Sequence, residues 1–415
     1  MKRQLSAWAV AGALLASGPN VSAQQAPPDL FSAAAEAVRQ VPFAADTLVR
    51  SRFVRLAGED TRAARGSGEP LPGQSLRIAF FPDLVEIFEQ SGVATSNDRG
   101  GTIWIGRSDR GSVTLVVAGD RINGFAQIGR RSLRIDPVGG GLHRVGELDP
   151  RAERPDIVVE FPSPPASPAP DEENALARRA ASRIDVLVAY TPAAEKRSSD
   201  IRAEIDLAVS LANQAYAASG VGIELRAVET MLVDYEEGGD FRKDLDLLTE
   251  GKPPFRRVHT ARERSRADLV SLIRKGGAYC GIAHLVKRPS AGTSDGAFSV
   301  VSRDCIPLNH SFAHELGHNM GLQHDRYWLK KATGETYPDK KFGFGFINKG
   351  AAIRDVMGYN DLCAKDGIYC TRVNMFSTPR DTYDGSRIGI RKGKPGAADA
   401  ARTLDRTRAA IAGYR

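Results

Sequence analysis

One short segment, residues 314–325, concentrates side chains that can bind a metal ion. Its sequence is HELGHNMGLQHD. On a helix, His314 and His318 lie on one face about 5–6 Å apart, which suits two ligands of one Zn²⁺ ion at about 2.0–2.1 Å. Glu315 lies about 100° further round the helix, near the ion but in a poor position to bind it. We interpret Glu315 as a general base that takes a proton from a water activated by the metal.

The end of this segment supplies a third ligand. Gly321 follows the last residue with helical spacing and can adopt the left-handed conformation that ends a helix. The chain then turns back and brings His324 to the metal. Three neutral imidazole nitrogens leave a fourth position for water, which is typical of a catalytic rather than a structural zinc site. The alternative is a helix with exposed histidines. We interpret His310, one turn earlier, as a polar residue at the helix start.

The elements that must position this segment lie in residues 184–415. A nearly continuous apolar run at 184–190 is typical of a central strand. Apolar residues at helical spacing predict a helix over 200–219, which Gly220 ends. This half is therefore predicted to be an α/β domain. Its remaining predicted elements are strands at 221–228, 281–286 and 297–303 and a helix at 261–275.

Residues 24–162 have a different character, because they contain no cysteine and consist mainly of short strand-like runs between turn signals. Asp109-Arg110-Gly111 and Asn123-Gly124 are predicted hairpin turns. This half is predicted to be a compact, mainly β domain. Its predicted elements are a short helix at 30–41 and strands at 76–81, 101–106, 112–117, 124–128, 132–135 and 157–161.

The start of the chain resembles a secretory signal, residues 1–23. Lys2 and Arg3 precede an apolar stretch at 7–16. That stretch is too short to cross a bilayer as a helix, which needs about 20 residues. We therefore predict export without a membrane anchor, the alternative being a buried N-terminal helix.

The two halves are joined by residues 163–183, which begin with Pro, Ser and acidic residues. Such a composition buries little apolar area and predicts an exposed linker. Arg178-Arg179 within it is either a processing site or a pair of surface arginines.

Composition excludes some classes of function. The chain has 415 residues, with 57 Lys+Arg against 50 Asp+Glu and a net charge of +7. Hydrophobic residues make up 42%, enough for real cores, which excludes bulk disorder. No basic run is interleaved with aromatic residues, so a nucleic-acid partner is not predicted. No EF-hand loop is visible, and calcium binding stays undecided.

The 4 cysteines allow three disulfide pairings. We favour Cys280–Cys305, which would bracket the strand at 297–303, together with Cys363–Cys370. A structural zinc site of four cysteines is disfavoured because no CxxC pair is present. Export places these cysteines in an oxidising compartment.

The segment HExxHxxGxxH followed by Asp325 resembles the motif of the metzincin zinc peptidases, and the Asp resembles the reprolysin (adamalysin) branch. Metzincins carry a tight turn with a methionine beneath the zinc, and residues 355–359 (DVMGY) match it. The resemblance implies that Met357 is an apolar floor under the metal and no ligand. It also permits Tyr359 to approach the zinc and stabilise the oxyanion, the alternative being a packed tyrosine.

The resemblance covers essentially all of the second half. Segments 184–194, 267–273 and 373–379 resemble secreted bacterial reprolysin-like peptidases, in particular the peptidyl-Asp metallopeptidase group, which cleaves beside Asp. The first half resembles the propeptides of such enzymes. The implied fold is an α/β (α+β) metzincin-type catalytic domain with a mixed twisted sheet and a zinc helix, preceded by a mainly β pro-domain. The implied boundaries are a signal peptide at 1–23, a pro-domain at 24–162, a linker at 163–183 and a catalytic domain at 184–415.

The resemblance implies a secreted zinc metalloendopeptidase that hydrolyses peptide bonds in proteins and is made as a pro-enzyme inhibited by its own pro-domain. A protein or peptide substrate is expected to add antiparallel to an edge strand at 297–303. One alternative is a non-enzymatic secreted peptide-binding scaffold, which the intact ligands and Glu315 argue against. Another is a zinc amidase acting on cell-wall peptides, and Asp325 and the 355–359 turn favour a protein substrate over it.

The sequence leaves latency and specificity open. Some metzincins silence the zinc with a propeptide cysteine, but the first half contains none. His143, or an Asp such as Asp149, could replace the water, or the block could be steric alone. Segment 371–380 is expected to wall the specificity pocket. Arg372 and Arg380 are either partners for an acidic substrate side chain or surface arginines.

Overall fold

The computed structural model describes residues 26–34, 48–57, 75–96, 101–162, 181–308 and 310–415. The predicted signal segment, the Arg178-Arg179 pair and nearly all of the linker lie outside these residues. Two sheets dominate the described part: a nine-stranded antiparallel sheet in the first half and a six-stranded mixed sheet. None of the described helices has the length and hydropathy that crossing a membrane requires.

The first sheet consists of strands that mostly pair with their neighbours along the chain. They are β1 (Phe31–Ala33), β2 (Leu48–Leu56), β3 (Ser75–Phe81), β4 (Leu84–Thr95), β5 (Thr102–Ser108), β6 (Gly111–Ala118), β7 (Arg121–Ile128), β8 (Arg131–Gly139) and β9 (Leu142–Leu148). The order is β1-β2-β9-β8-β7-β6-β5-β4-β3. The Leu30 N–H donates to Arg77 O (2.9 Å), so the two ends of the sheet are joined. Alternating side chains fill the interior, as Leu76, Ile78 and Phe80 do in β3.

The mainly β character of this half agrees with the prediction, but three details differ. The helix predicted at 30–41 is wrong where the chain is described, because residues 31–33 form β1, and 35–41 lie outside the described residues. Strands β2, β4 and β9 were not predicted, because charged residues interrupt their apolar runs. Asn123-Gly124 is not a turn but lies inside β7, where a Cβ on Gly124 would approach Leu115 Cδ2 to 2.8 Å. The lack of a side chain at Gly124 therefore allows Leu115 to pack closely against this strand.

The second sheet contains β10 (Ile157–Glu160), β11 (Ser182–Tyr190), β12 (Ile223–Leu232), β13 (Leu269–Arg274), β14 (Gly281–Leu285) and β15 (Phe298–Ser302). Their order is β10-β14-β15-β13-β11-β12. Strands β12, β11, β13 and β15 run parallel, and β14 runs antiparallel to β15. Every residue of β13 is buried, as expected of a central parallel strand. The α/β prediction for this half agrees with the structure, but the helix predicted at 261–275 is wrong over 269–274, which form β13.

The expectation that 297–303 forms the sheet edge is wrong. Strand β15 pairs with β13 on one side and with β14 on the other, so it offers no free backbone groups to a substrate. Beyond β15 lies β14, and its outer side is occupied by β10, which runs parallel to it. The Cys280 N–H donates to Pro155 O (2.9 Å) and the Phe161 N–H to Leu285 O (3.1 Å), which extends this pairing at both ends. Strand β10, assigned from the sequence to the first half, thus belongs to the second sheet.

The helices of the described part are α1 (Pro192–Arg197), α2 (Ile201–Ala218), α3 (Phe241–Glu250), α4 (Arg256–Ser265), α5 (Ser311–Asn319), α6 (Arg326–Thr333), α7 (Asp361–Ala364) and α8 (Ala400–Ile411). Helix α2 is apolar on more than one face because it packs on the second sheet and also under the first. At the junction, Glu204 accepts hydrogen bonds from Arg134 (3.0 Å) and from Arg303 (2.7 Å). Removing one partner of a buried ion pair is costly, so this network favours one docked position. The apolar residues at the junction are Ile103, Val116, Phe125, Leu148, Ala203, Leu207, Leu211 and Leu308.

The C-terminal part forms short strands that wall the site: β16 (Ile347–Asn348), β17 (Ile353–Arg354), β18 (Thr371–Arg372), β19 (Thr378–Tyr383) and β20 (Ser386–Ile388). Strands β17 and β18 pair in parallel. The structure contains the disulfides Cys280–Cys305 and Cys363–Cys370, which is the favoured pairing. The first joins the start of β14 to the segment after β15, and the second lies just before β18.

Candidate metal centre

Helix α5 carries the first half of the predicted metal-binding segment and is buried along its whole length. Asn319 fixes its C-terminal end to the sheet, since Nδ2 lies 3.0 Å from the carbonyl oxygens of His284 and of Phe298. Gly321 follows with a φ of +99°, a conformation that glycine adopts readily. The chain reverses there, as the sequence predicts.

The Nε2 atoms of the three predicted ligands converge on one point. Those of His314 and His318 are 3.1 Å apart, those of His314 and His324 3.1 Å, and those of His318 and His324 3.0 Å. His314 Nδ1 faces Val356 O (2.9 Å) and His318 Nδ1 faces Leu322 O (2.8 Å). A nitrogen that faces a carbonyl oxygen must carry the hydrogen, so both rings present an Nε2 lone pair to the centre.

A cation resolves this arrangement, because lone pairs that point at one another repel. Three nitrogen ligands of a tetrahedral zinc ion at about 2.0–2.1 Å lie roughly 3.3–3.4 Å apart, close to these separations. Burial lowers the pKa of His318 to about 4 and is the main cause that lowers the pKa values of His314 and His324 well below their usual value. All three rings are therefore neutral, which is the form that binds a metal. The residues present fit a metal ion.

Glu315 faces the same space, with the Asp156 carboxyl as its neighbour. Gly281, the first residue of β14, makes room for it, since a Cβ there would come within 2.3 Å of Glu315 Oε1. Burial, and then the neighbouring Asp156 carboxylate, raise the pKa of Glu315 well above its usual value. Asp156, His314 and Glu315 place ligand atoms within 4.8 Å of one another.

The 355–359 turn packs against α5, as the sequence predicts. Met357 is fully buried, and its Sδ lies 3.0 Å from where a Cβ on Gly317 would be. Asp325 caps α6 with one carboxylate oxygen and accepts the Tyr359 N–H with the other (2.9 Å). It therefore ties the loop of the third histidine to the turn.

Asp156 enters this site from the segment just before β10. Its Oδ2 lies 3.6 Å from His314 Nε2. Its backbone N–H donates to the hydroxyl of Tyr359 (2.7 Å), and that hydroxyl lies 3.3 Å from Asp156 Oδ2. The Tyr359 ring is held by stacking on Trp328, with ring centres 5.1 Å apart. Burial raises the pKa of Asp156 to about 7.

Three residues before Asp156, Glu153 lies in a second buried polar cluster. Its Oε1 accepts hydrogen bonds from Arg354 Nη1 (3.0 Å) and pairs with Arg372 Nη2 (2.9 Å). Its Oε2 pairs with Arg354 Nη2 and lies 3.4 Å from the hydroxyl of Tyr369. Burial on its own would raise the pKa of Glu153, but the two guanidinium groups outweigh it and hold the pKa below its usual range.

The structure brings together around α5 the predicted metal ligands, the predicted general base and the residues predicted to support them. They are His314, Glu315, His318, Gly321, His324, Asp325, Met357 and Tyr359. His310 lies at the start of α5, as predicted, with a φ of +49°. It is buried against Phe125, and its side chain caps no backbone group.

Three residues that the sequence suggested for the site lie away from the histidine cluster. His143 belongs to the first sheet, where its Nε2 accepts the Ile122 N–H (3.0 Å). Asp149 pairs with Arg151 in the same turn. Neither contacts the histidine cluster, so both suggestions for silencing the metal are wrong. Arg380 pairs with Asp405 of α8 at 3.2 Å and not with the site.

Sequence reasoning missed Asp156, Glu153 and Arg354. The one available signal was the predicted strand at 157–161, which begins directly after Asp156 in a region without cysteine. Nothing in the spacing indicates that this strand joins the second sheet rather than the first.

Comparison with known proteins identifies the family. Residues 202–325 match the Reprolysin-like metallopeptidases, family M12B. A protein of Stenotrophomonas maltophilia named peptidyl-Asp metalloendopeptidase is 30% identical over 371 residues, which cover 87% of this chain and 82% of that relative. The chain belongs to the reprolysin-like metallopeptidases. It is therefore a hydrolase of peptide bonds.

Further relatives of this metallopeptidase carry the same name. The peptidyl-Asp metalloendopeptidase of Xanthomonas campestris pv. campestris is 29% identical over 310 residues, covering 73% of this chain and 70% of the relative. The peptidyl-Asp metalloendopeptidase of Pseudomonas aeruginosa is 36% identical over 163 residues, which cover 36% of this chain and 26% of that relative. Metalloproteinase-II from Bacteroides fragilis, a solved structure, gives a TM-score of 0.39 at 10% identity, over 60% of this chain and 81% of that chain.

Proposed function

We propose that this metallopeptidase is a zinc-dependent endopeptidase that is exported, is made as an inactive precursor, and uses Glu315 as its general base. In this proposal residues 1–23 are removed on export. Residues 24–162 form the pro-domain, 163–183 contain the maturation site, and 184–415 form the catalytic domain. The observation that carries the proposal is the set of three converging imidazole Nε2 atoms with the buried Glu315 carboxylate beside them.

Each residue of the site has a role in this proposal. His314, His318 and His324 hold the zinc ion, which when bound polarises a carbonyl group and lowers the pKa of water. Glu315 takes the proton from the attacking water and passes it to the leaving amine. Its buried carboxylate faces the carboxyl of Asp156 in this structure, which would leave with the first half.

The surrounding residues position this machinery. Met357 forms the apolar floor, and Gly321 and Asp325 hold the loop of the third histidine. The Tyr359 hydroxyl, which binds Asp156 in the structure, is free to donate to the oxyanion of the reaction once Asp156 leaves. An extended substrate binds along the outer side of β14, where β10 now lies.

In this proposal, contacts made by the first half keep the precursor inactive. Strand β10 fills the outer side of β14, and the Asp156 carboxylate lies 3.6 Å from a ligand nitrogen, where it can take the fourth position on the metal. Further contacts come from the first half, since Arg130 donates to Tyr369 O (2.8 Å) and Gln127 to Arg372 O (3.0 Å). A pro-domain that makes these contacts excludes both substrate and water.

The test compares casein hydrolysis by the secreted, processed protein with that of its Glu315→Gln form, with zinc measured in both. We expect the variant to keep its zinc and to lose activity by about 10²–10⁴-fold. If neither protein cuts casein while both hold stoichiometric zinc, the endopeptidase proposal fails. Peptidoglycan digested in parallel distinguishes the amidase alternative.

A further inference from the structure

A cavity of about 890 Å³ lies between the segment that joins α2 to β12, strand β19 and helix α8. Its volume falls in the range of small-molecule sites, roughly 300–1,000 Å³. Its lining is basic rather than apolar, since basic side chains outnumber acidic ones among the described residues. The basic residues are Arg380, Arg391, Lys392, Arg402 and Arg406, and the acidic ones are Asp399 and Asp405.

Both acidic residues of the lining have partners within the fold. Asp405 pairs with Arg380 (3.2 Å) and also lies 3.8 Å from Nε of the buried Arg408. Asp399 is the N-cap of α8 and accepts the N–H of Arg402 (3.2 Å). The two carboxylates therefore hold the walls in place, and the lining as a whole keeps an excess of positive charge.

Three of the basic groups converge on one aromatic ring. The centre of the Phe342 ring lies 5.5 Å from Lys392 Nζ. The guanidinium carbons of Arg402 and Arg406 lie 5.6 Å and 5.0 Å from the same centre. Attraction to the ring offsets part of the repulsion among the three cations, but the ring carries no net charge. An anion bound in the cavity would lower that repulsion further.

Helix α8 separates this cavity from the metal centre. Arg402 and Arg406 lie on one face of α8 because they are four residues apart. On the opposite face, Leu404 is fully buried in the core that contains Met320 and Met357. Among the described residues, the cavity is lined only by residues of the second half. The cavity is therefore distinct from the metal centre and does not depend on the first half.

We infer that this basic cavity binds a ligand with two or more phosphate groups, either a free organic polyphosphate or a phosphorylated lipid headgroup. Guanidinium groups suit phosphate because they donate two parallel charge-assisted hydrogen bonds to it. Several cations spread over one cavity favour a multivalent ligand, since a single small anion cannot contact all of them. Such a ligand takes no part in peptide hydrolysis, so its binding goes beyond the proposed function.

The first test is calorimetric titration of the full chain with inositol hexakisphosphate and, separately, with inorganic phosphate. We expect the hexakisphosphate to bind at least about 100-fold more tightly, because it engages several cations at once. Arg406→Gln should weaken its binding about tenfold, as the loss of one charge-assisted hydrogen-bond donor predicts. Lys392→Gln should weaken it in the same direction. Both side chains are exposed, so neither substitution should unfold the chain.

Arg242→Gln is the matched control. Arg242 is also an exposed arginine on a helix, where it pairs with Asp246 at 3.2 Å, but it does not line the cavity. Its substitution removes the same charge and should leave the affinity unchanged. Equal weakening by Arg406→Gln and Arg242→Gln would overturn the site, because it would show general attraction to a basic protein. Inorganic phosphate binding as tightly as the hexakisphosphate would mean an adventitious ion only.

A second measurement distinguishes the two sources of the phosphate groups. Vesicles of phosphatidylcholine, with or without a phosphatidylinositol bisphosphate, are sedimented with the full chain and with Arg406→Gln. Sedimentation that requires the bisphosphate and is lost in Arg406→Gln supports a lipid headgroup. Calorimetric binding without sedimentation supports a free polyphosphate, and binding in neither assay overturns the site. Casein hydrolysis by processed Arg406→Gln should equal that of the wild type, so this outcome is separate from that of the proposed function.

Discussion

Two buried polar clusters lie side by side in this metallopeptidase, and they differ in whether their charges are compensated. In the histidine cluster three Nε2 atoms converge at 3.0–3.1 Å in an arrangement that fits a metal ion. In the Glu153 cluster two guanidinium groups already hold a carboxylate. Because buried polar groups need compensating partners, the first cluster is suited to a cation. The second indicates a ligand supplied by the chain itself.

The prediction with the largest expected effect tests which of the two clusters binds the metal. His318→Ala should lose the metal and lower peptidase activity by about a thousandfold or more, because two nitrogens do not replace three. Metal content by elemental analysis and casein hydrolysis measure it. Arg372→Gln is the comparison and should keep stoichiometric metal. If His318→Ala retained its metal, the histidine cluster would not be the metal site.

Removing the carboxylate of the second cluster should destabilise the uncleaved chain. Glu153→Gln leaves two buried guanidinium groups without their carboxylate, and we expect the free energy of unfolding of the uncleaved chain to fall by about 3–5 kcal/mol. Urea unfolding measures it. Glu160→Gln is the matched control, because Glu160 is 63% exposed in its pair with Lys287, and such pairs contribute about 0–1 kcal/mol. If both substitutions lowered the free energy of unfolding equally, the buried ion pairs of Glu153 would contribute no more than an exposed pair.

Asp156 lies between the two clusters, and we expect its substitution to weaken metal retention by the uncleaved chain. Asp156→Asn replaces a carboxylate that can take the fourth metal position, so we expect a chelator to remove zinc from the uncleaved precursor about tenfold faster. Asp149→Asn, on the same segment but paired with Arg151, should leave the rate unchanged. An unchanged rate in Asp156→Asn would limit latency to steric blocking by β10.

The smallest effect concerns a buried histidine outside both clusters. Burial lowers the pKa of His284 to about 4, and its Nε2 lies 2.8 Å from Thr249 Oγ1. Below about pH 6.5 the unfolded chain binds the proton more readily, so stability must fall as the pH falls from about 6.5 towards 4. We expect His284 to account for a loss of about 1 kcal/mol between about pH 7.5 and 5.5.

Urea unfolding of the wild type and of His284→Gln at the two pH values isolates that contribution. The variant should lose less stability than the wild type on acidification. A difference of the opposite sign would mean that the His284 ring gains a proton on folding, against the expected effect of its burial.

Local patterns in the sequence predicted the histidine cluster. His314, Glu315, His318 and His324 fall within eleven residues, where the period of a helix and one glycine reversal fix their relative positions. The alternation of apolar residues likewise predicted most strands of the first sheet. Such patterns depend only on residues that are close together in the sequence, so they can be recognised without knowledge of the rest of the fold.

Only the tertiary structure decided the neighbours of that cluster. Glu153 lies about two hundred residues from Arg354 and Arg372, and Asp156 reaches His314 only because β10 pairs with β14. The sequence predicted a strand at 157–161 but not its partner, because a strand of four residues offers backbone hydrogen bonds that many partners can accept. Which edge it joins depends on the assembled sheet, and so do the edge at which we propose that substrate binds and the contact between Asp156 and His314.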